Sequence, residues 1–125
     1  MAGKKEIVIV DDNHVNNLLL KEFLGHHFNI LPFQNPFKAL SYINNNQPGI
    51  IISDLMMPEL SGFEFLKKTR SMVPDGVFIF LTAHDNKEYQ NEAFNLGADG
   101  YLIKPVNFKV LSDTINELLM TAKNQ

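Results

Sequence analysis

Five short apolar runs alternate with five segments of helical spacing, which predicts an α/β fold around a parallel five-stranded sheet. Two further observations support this class. Ile7-Val8-Ile9-Val10, Ile50-Ile51-Ile52 and Val77-Phe78-Ile79-Phe80-Leu81 are continuous and mostly β-branched or aromatic, as strands buried on both faces are. Polar residues then stand at the run exits: Asp11-Asp12, Asp54, Thr82 and Lys104.

Ile7–Val10 reads as the first strand. After Asp11-Asp12-Asn13 the pattern changes to helical spacing at Val15, Leu18, Leu19 and Phe23. Asp12 or Asn13 caps this helix, because a short side-chain oxygen accepts from its free N–H groups. The helix closes near Gly25-His26-His27, with histidines at the negative end of its dipole. Asn29–Phe33 is a weaker strand, and Pro32, which cannot donate to a ladder, places it at an edge. Asn35-Pro36 opens the second helix as cap and first residue, with Phe37, Leu40 and Ile43 as its apolar face. The turn-rich stretch from Asn44 to Gly49 ends it and leads into the third strand.

Ser61 and Glu64 fit a capping box, each satisfying a free N–H of the other, and Phe63, Leu66 and the stem of Arg70 are expected toward the sheet. Val73-Pro74-Asp75-Gly76 breaks that helix. The fourth helix runs through Tyr89, Ala93 and Phe94 to Gly97. Tyr101-Leu102-Ile103 is the fifth strand, and Phe108, Leu111, Ile115, Leu118 and Leu119 form the core stripe of the last helix. The sum is a flavodoxin-like (βα)5 three-layer sandwich with right-handed crossovers, expected as a single domain over residues 1–125. An edge second strand suits the order 2-1-3-4-5. That order puts the topological switch between strands 1 and 3, where a ligand crevice forms at the carboxyl ends.

Composition removes several functional classes. A net charge of −3 offers no basic footprint for direct nucleic-acid binding, and the absence of cysteine removes disulfides, thiol catalysis and thiolate metal sites. No apolar stretch approaches a membrane span. The start, Met1-Ala2-Gly3-Lys4-Lys5-Glu6, is charged and unlike a signal peptide, so a cytoplasmic location is the expectation. His14, His26, His27 and His84 match no metal spacing and read as surface or capping residues.

In a parallel sheet Asp11, Asp12, Asp54, Thr82 and Lys104 gather at one edge. Three carboxylates there repel one another unless cations sit among them. Lys104 supplies one positive charge, and a hard divalent ion held by oxygens, Mg²⁺ or a similar ion such as Mn²⁺, supplies the rest. Such a cluster suits phosphoryl transfer, with a carboxylate as covalent acceptor. Asp54 is the carboxylate best aimed for that role, Thr82 offers a hydroxyl to a phosphoryl oxygen, and Lys104 offers a compact charge to another.

These pieces resemble the receiver domain of two-component response regulators over essentially the whole chain. The matching residues are Asp11-Asp12, Asp54-Leu55-Met56-Met57-Pro58 with Gly62, Thr82-Ala83, and Gly97-Ala98-Asp99-Gly100-Tyr101-Leu102-Ile103-Lys104-Pro105. The resemblance implies a signalling domain and not an enzyme, taking a phosphoryl group from a histidine kinase or phosphotransfer protein onto Asp54. It implies Mg²⁺ held by Asp12, Asp54 and the backbone carbonyl of Met56, with Asp11 acting through water. It implies a cis Lys104-Pro105 bond. It further implies a switch in which the Thr82 hydroxyl moves toward the phosphoryl group while Tyr101 rotates inward, changing the face of helix 4, strand 5 and helix 5 for a downstream protein target or a fused output domain.

Other readings fit less well. Tyr101 taken alone is an edge-strand aromatic covering the core. An aspartate-nucleophile phosphatase resembles Asp-x-Asp after strand 1, whereas Asp11 and Asp12 are adjacent. A flavin carrier needs a hydroxyl- and glycine-rich phosphate loop, which Asp11-Asp12-Asn13-His14 is not. A degenerate, constitutive docking module fits poorly with a complete set of polar residues. Two departures from the pattern stand out: Met56 and His84, two residues after Asp54 and Thr82, flank the expected phosphoryl group. Met56 is bulky and apolar where similar proteins often carry a polar residue, so it is expected to shield an acyl phosphate from water. The last helix runs nearly to Gln125, so no output domain is expected within these residues; a stand-alone regulator and a receiver belonging to a larger regulator or hybrid kinase are both compatible.

Overall fold

The apolar runs form β1 (Glu6–Val10), β2 (Asn29–Phe33), β3 (Ile50–Ser53), β4 (Val77–Thr82) and β5 (Gly100–Ile103). Between and after them lie α1 (His14–Leu24), α2 (Pro36–Asn46), α3 (Gly62–Met72), α4 (Lys87–Asn95) and α5 (Phe108–Lys123). The computed structural model describes residues 4–123. All strands pair in parallel in the order β2-β1-β3-β4-β5, as expected, with Pro32 on the edge strand β2.

Side chains alternate across the sheet, so each strand feeds two cores. Val8, Val10, Ile51, Phe78 and Phe80 pack with Ala39, Leu40 and Ile43 of α2, Phe65 and Leu66 of α3, and Ala93 of α4. Ile7, Ile9, Ile52, Ile79 and Leu81 pack with Leu20 and Leu24 of α1 and Leu111 and Ile115 of α5. Continuous apolar strands are what this two-sided burial requires.

Helix faces differ from expectation in several places. Val15, Leu18 and Leu19 point outward at 60%, 50% and 52% exposure, and Phe23 is also exposed. The buried residues of α1 are Asn17, Leu20 and Leu24. Two stripes at helical spacing run side by side, and a polar residue in the inner one hid it from a reading of apolar periodicity. Phe23 nevertheless finds a partner, stacking on Phe108 of α5 with ring centroids 4.5 Å apart. Phe37 and Phe94 are likewise exposed, while Ala39 and Ala93, smaller and closer to the sheet, are fully buried.

Caps follow the expected chemistry with two refinements. Asn13, not Asp12, caps α1 by accepting from the Asn16 N–H, and Asn35 caps α2 ahead of Pro36. At α3, Ser61 accepts from the Glu64 N–H at 3.2 Å, but the Glu64 carboxylate pairs with Lys67 at 3.2 Å. The capping box is therefore half made, because an oppositely charged side chain on the next turn captures the glutamate.

Arg70 does more than cover the sheet with its stem. Its guanidinium donates to the carbonyls of Gly76 and Gly97 and to Asp99 at 3.0 Å, and Asp99 also accepts from the Phe78 N–H at 2.8 Å. One planar fork thus joins the turn before β4 to the turn before β5, a geometry that an ammonium cannot reproduce. Arg70→Met is expected to lower stability by about 2 to 3 kcal/mol, since buried-edge carbonyls and Asp99 lose charge-assisted bonds. Arg70→Lys should recover less than half of that loss, read as the shift in urea midpoint at unchanged m-value.

Candidate functional site

The polar residues sit where the ladder stops. Asp11 follows β1, and its N–H donates to the Phe33 carbonyl at 3.1 Å; Asp54 follows β3, and its N–H donates to the Val10 carbonyl at 2.9 Å. Lys104 follows β5 and donates from its backbone to the Thr82 carbonyl at 2.8 Å. Each residue is therefore held by one more bond of the parallel sheet while its side chain leaves the apolar layer. The Lys104-Pro105 bond is cis, in line with the resemblance.

Asp11 is 4% exposed, and every polar atom it has is engaged. Oδ1 accepts from the Asn13 N–H at 2.9 Å, and Oδ2 accepts from Asn16 Nδ2 at 3.2 Å and from Lys104 Nζ at 2.8 Å. Asp54 is anchored by the Leu55 N–H to Oδ1 at 2.7 Å, while its Oδ2 lies 3.5 Å from Lys104 Nζ. The lysine thus bridges two acids but stands closer to Asp11. Asp12 is exposed at the rim.

Carboxylate oxygens of Asp11, Asp12 and Asp54 all lie within 4.8 Å of one another. Three acids and one ammonium leave an excess of negative charge in a small volume. Partial desolvation, then the charges of Asp11 and Asp54, push the Asp12 carboxyl above its ordinary value of 3.8. The donor set is all oxygen with no thiolate or imidazole, which fits a hard divalent cation.

The loop after β3 is shaped by Gly62, whose N–H donates to the Leu55 carbonyl at 2.7 Å. A Cβ there would stand 2.7 Å from the Asp54 carbonyl oxygen and 2.8 Å from the Phe80 ring, so only glycine lets α3 start this close to Asp54. Met57 is buried and Met56 is 41% exposed.

Across the sheet, Thr82 is fully buried and its Oγ1 accepts from the His84 N–H at 3.2 Å. The Tyr101 hydroxyl donates to the His84 carbonyl at 2.6 Å, and its ring meets Phe80 edge-on at 6.1 Å. Tyr101 is therefore more than a wet edge aromatic: desolvation, with Asp85, Tyr89 and Asp54 adding their charge, raises its phenol above the ordinary range. The His84 ring packs edge-on against Tyr89 at 5.8 Å. Neither His84 nor the other histidines belongs to a cluster of metal-ligating side chains among the described residues.

Of the five residues predicted for the acid edge, Asp11, Asp12, Asp54 and Lys104 converge, while Thr82 ends β4 with its hydroxyl bonded to the His84 N–H. Asn16 and Asn17 were not anticipated. Asn16 donates to the Asp11 carboxylate and Asn17 to its carbonyl. Their only signal was polarity inside an apolar helical pattern.

Comparison with known proteins decides the family. The family model of the response regulator receiver domain matches residues 7–116. The chain belongs to the response regulator receiver family. Curated relatives include Histidine kinase P4 of Formosa agariphila, 34% identical over 93% of this chain but 9% of that protein. The transcriptional regulatory protein PcoR of Escherichia coli is 32% identical over 97% of this chain and 54% of its own length. The chain thus spans from about a tenth to about half of these relatives. Among solved structures, a CheY-like receiver domain protein from Methanospirillum hungatei superposes with a TM-score of 0.93 at 28% identity, covering 98% of each chain. Chemotaxis protein CheY4 of Vibrio cholerae gives 0.87 at 27% identity over 93% of this chain and 99% of that one. This receiver domain has no helix among its described residues long and apolar enough to cross a membrane.

The raised Asp12 carboxyl carries a stability consequence. Ionising it costs more in the folded state than in the unfolded one, so the penalty is absent below the unfolded value and fully felt above the raised one. In chelator-containing buffer at pH 7, Asp12→Asn is expected to raise the melting temperature slightly. The effect is small because solvent screens an exposed residue. The gain should vanish as pH falls below 3.8, a trend that melting curves across pH 3 to 7 would check.

Proposed function

We propose that this receiver domain accepts a phosphoryl group on Asp54 from a phosphohistidine of a histidine kinase or phosphotransfer protein. The observation that carries the reading is the convergence at the sheet's carboxyl edge of Asp54 and two further carboxylates within 4.8 Å of one another, with Lys104 bonded to Asp11 and 3.5 Å from Asp54. In the transfer, a carboxylate oxygen of Asp54 forms a bond to phosphorus as the phosphorus–nitrogen bond breaks. The electron pair of that bond returns to the donor imidazole.

Asp12, Asp54 and the Met56 carbonyl would hold Mg²⁺ (or Mn²⁺), with Asp11 acting through water. Bound there, the ion supplies positive charge beside the phosphoryl oxygens. The protein's own residues do the rest. The Leu55 N–H fixes the orientation of the Asp54 carboxylate, Lys104 offers its ammonium to a phosphoryl oxygen, and Thr82 offers its hydroxyl. Thr82 and Tyr101 act as the switch. Both already bond to the backbone of His84, so a shift of Thr82 alters the seat of Tyr101 and with it the face of α4, β5 and α5.

The apolar cleft of about 440 Å³ between α1 and the start of α5 opens beside Lys104, and the outward Leu19 lines it. A phosphodonor presenting its group to Asp54 would cover this cleft. A cytoplasmic setting and a downstream protein target or output domain complete the reading.

Incubation with Mg²⁺ and acetyl phosphate, followed by intact mass measurement, is expected to give one phosphate adduct that Asp54→Asn lacks. No adduct under any condition would overturn the reading, and continuous turnover of phosphate esters would favour a phosphatase. Met56 adds a second test. Its exposed thioether chain is expected to keep water from the acyl phosphate, so Met56→Asn should shorten the adduct's half-life severalfold; equal or slower decay removes that role.

A further inference from the structure

Asn17 occupies a core position of α1 with an amide where an apolar side chain would serve packing better. It is 2% exposed and shares the inner face with Leu20 and Leu24. Its Nδ2 donates to the Asp11 carbonyl at 3.0 Å and to the Phe33 carbonyl at 3.2 Å, spending both hydrogens. Its Oδ1 is buried with no hydrogen-bond partner among the described residues.

That arrangement is costly if stability is its purpose. Asparagine is a poor helix former, and a buried acceptor without a partner carries a desolvation penalty that an apolar side chain avoids. What the amide supplies is geometry. The Phe33 carbonyl receives both the Asp11 N–H and the Asn17 amide, so β2, the loop after β1, and α1 are tied at one point. The peptide held there carries Asp11 and leads directly to Asp12.

We propose that Asn17 is a positioning residue for the acid cluster: by clamping the Asp11 carbonyl to the exit of β2, it sets the spacing of Asp11 and Asp12 from Asp54 on which divalent-cation binding depends. This rests on the reading of the cluster as a cation site. Asn17 itself touches neither the cation nor the acceptor. It stands behind the backbone of the residues that do, and losses of such supporting groups commonly weaken metal binding about 10- to 100-fold.

The test uses Mn²⁺ alone as probe, with the free ion counted by its paramagnetic resonance signal, beside urea unfolding in chelator. Asn17→Leu, close in size, removes the clamp and the unpartnered oxygen together. It is expected to bind Mn²⁺ about tenfold or more weakly while the folded fraction stays near complete. Leu20→Ala, on the same buried face, should unfold at lower urea yet bind Mn²⁺ within about twofold of wild type. Should Asn17→Leu fail to fold, Asn17→Ser carries the same comparison, since its short hydroxyl cannot span two carbonyls. Wild-type affinity in the Asn17 variant, or an equal loss in Leu20→Ala, would overturn the inference. A wild-type protein that takes up no Mn²⁺ would overturn the cation site itself, and this inference with it.

Discussion

The parallel ladder does not end with its strands, and the site depends on the extra rung. Asp11, Asp54 and Lys104 each hold one further backbone hydrogen bond beyond the last strand residue. Parallel pairing is evenly spaced: Val10, Ser53 and Phe80 lie abreast, and β4 and β5 run on together for two more residues, to Thr82 and Ile103. Three side chains from distant parts of the sequence thereby share one edge with little freedom to drift. Loops alone would have to pay the entropy of that convergence; here the sheet has already fixed it.

Charge then organises what the ladder gathers. Lys104 favours Asp11 over Asp54, at 2.8 Å against 3.5 Å. Asp11 is buried and saturated with donors, whereas Asp54 keeps one oxygen less firmly held. Partial desolvation, with the charges of Asp11 and Asp54 added to it, raises the Asp12 carboxyl, and one ammonium does not balance three acids. A cluster in this condition gains from additional positive charge. Gly62 keeps α3 against Asp54, so the loop after β3 has little room to relieve the crowding by moving away.

Much of this could be read in the sequence, for a definite reason. Strands buried on both faces leave long apolar runs, and a polar residue ending such a run is conspicuous; strand order, the edge position of β2 and the acid edge all follow. Helix faces were less legible. In α1, Val15, Leu18, Leu19 and Phe23 form an apolar stripe as regular as a core face, yet they are exposed. In α3, Phe65 is fully buried beside the expected Leu66, while Phe63 is half-buried. Periodicity identifies a helix but does not say which of two neighbouring stripes meets the sheet. The Arg70 bridge was hidden for a different reason, since its partners are backbone carbonyls, which any sequence supplies.

The choice between the two stripes of α1 is made by polar bonds near its start. Only three residues separate Val10 from His14, so the helix inherits its starting direction from the loop that carries the acids. Asn13 caps the first turn, Asn16 reaches the Asp11 carboxylate, and Asn17 reaches the Asp11 and Phe33 carbonyls. Neighbouring helical residues are about 100° apart, so placing Asn17 inward puts Leu20 and Leu24 inward with it and turns Val15, Leu18 and Leu19 out. Burying the outer stripe would demand a rotation that breaks the Asn16 and Asn17 contacts and takes one donor each from the Asp11 carboxylate, the Asp11 carbonyl and the Phe33 carbonyl. Apolar periodicity therefore yields to the polar constraints of the acid edge, and the observed orientation leaves Leu19 exposed in the cleft that Lys104 also lines.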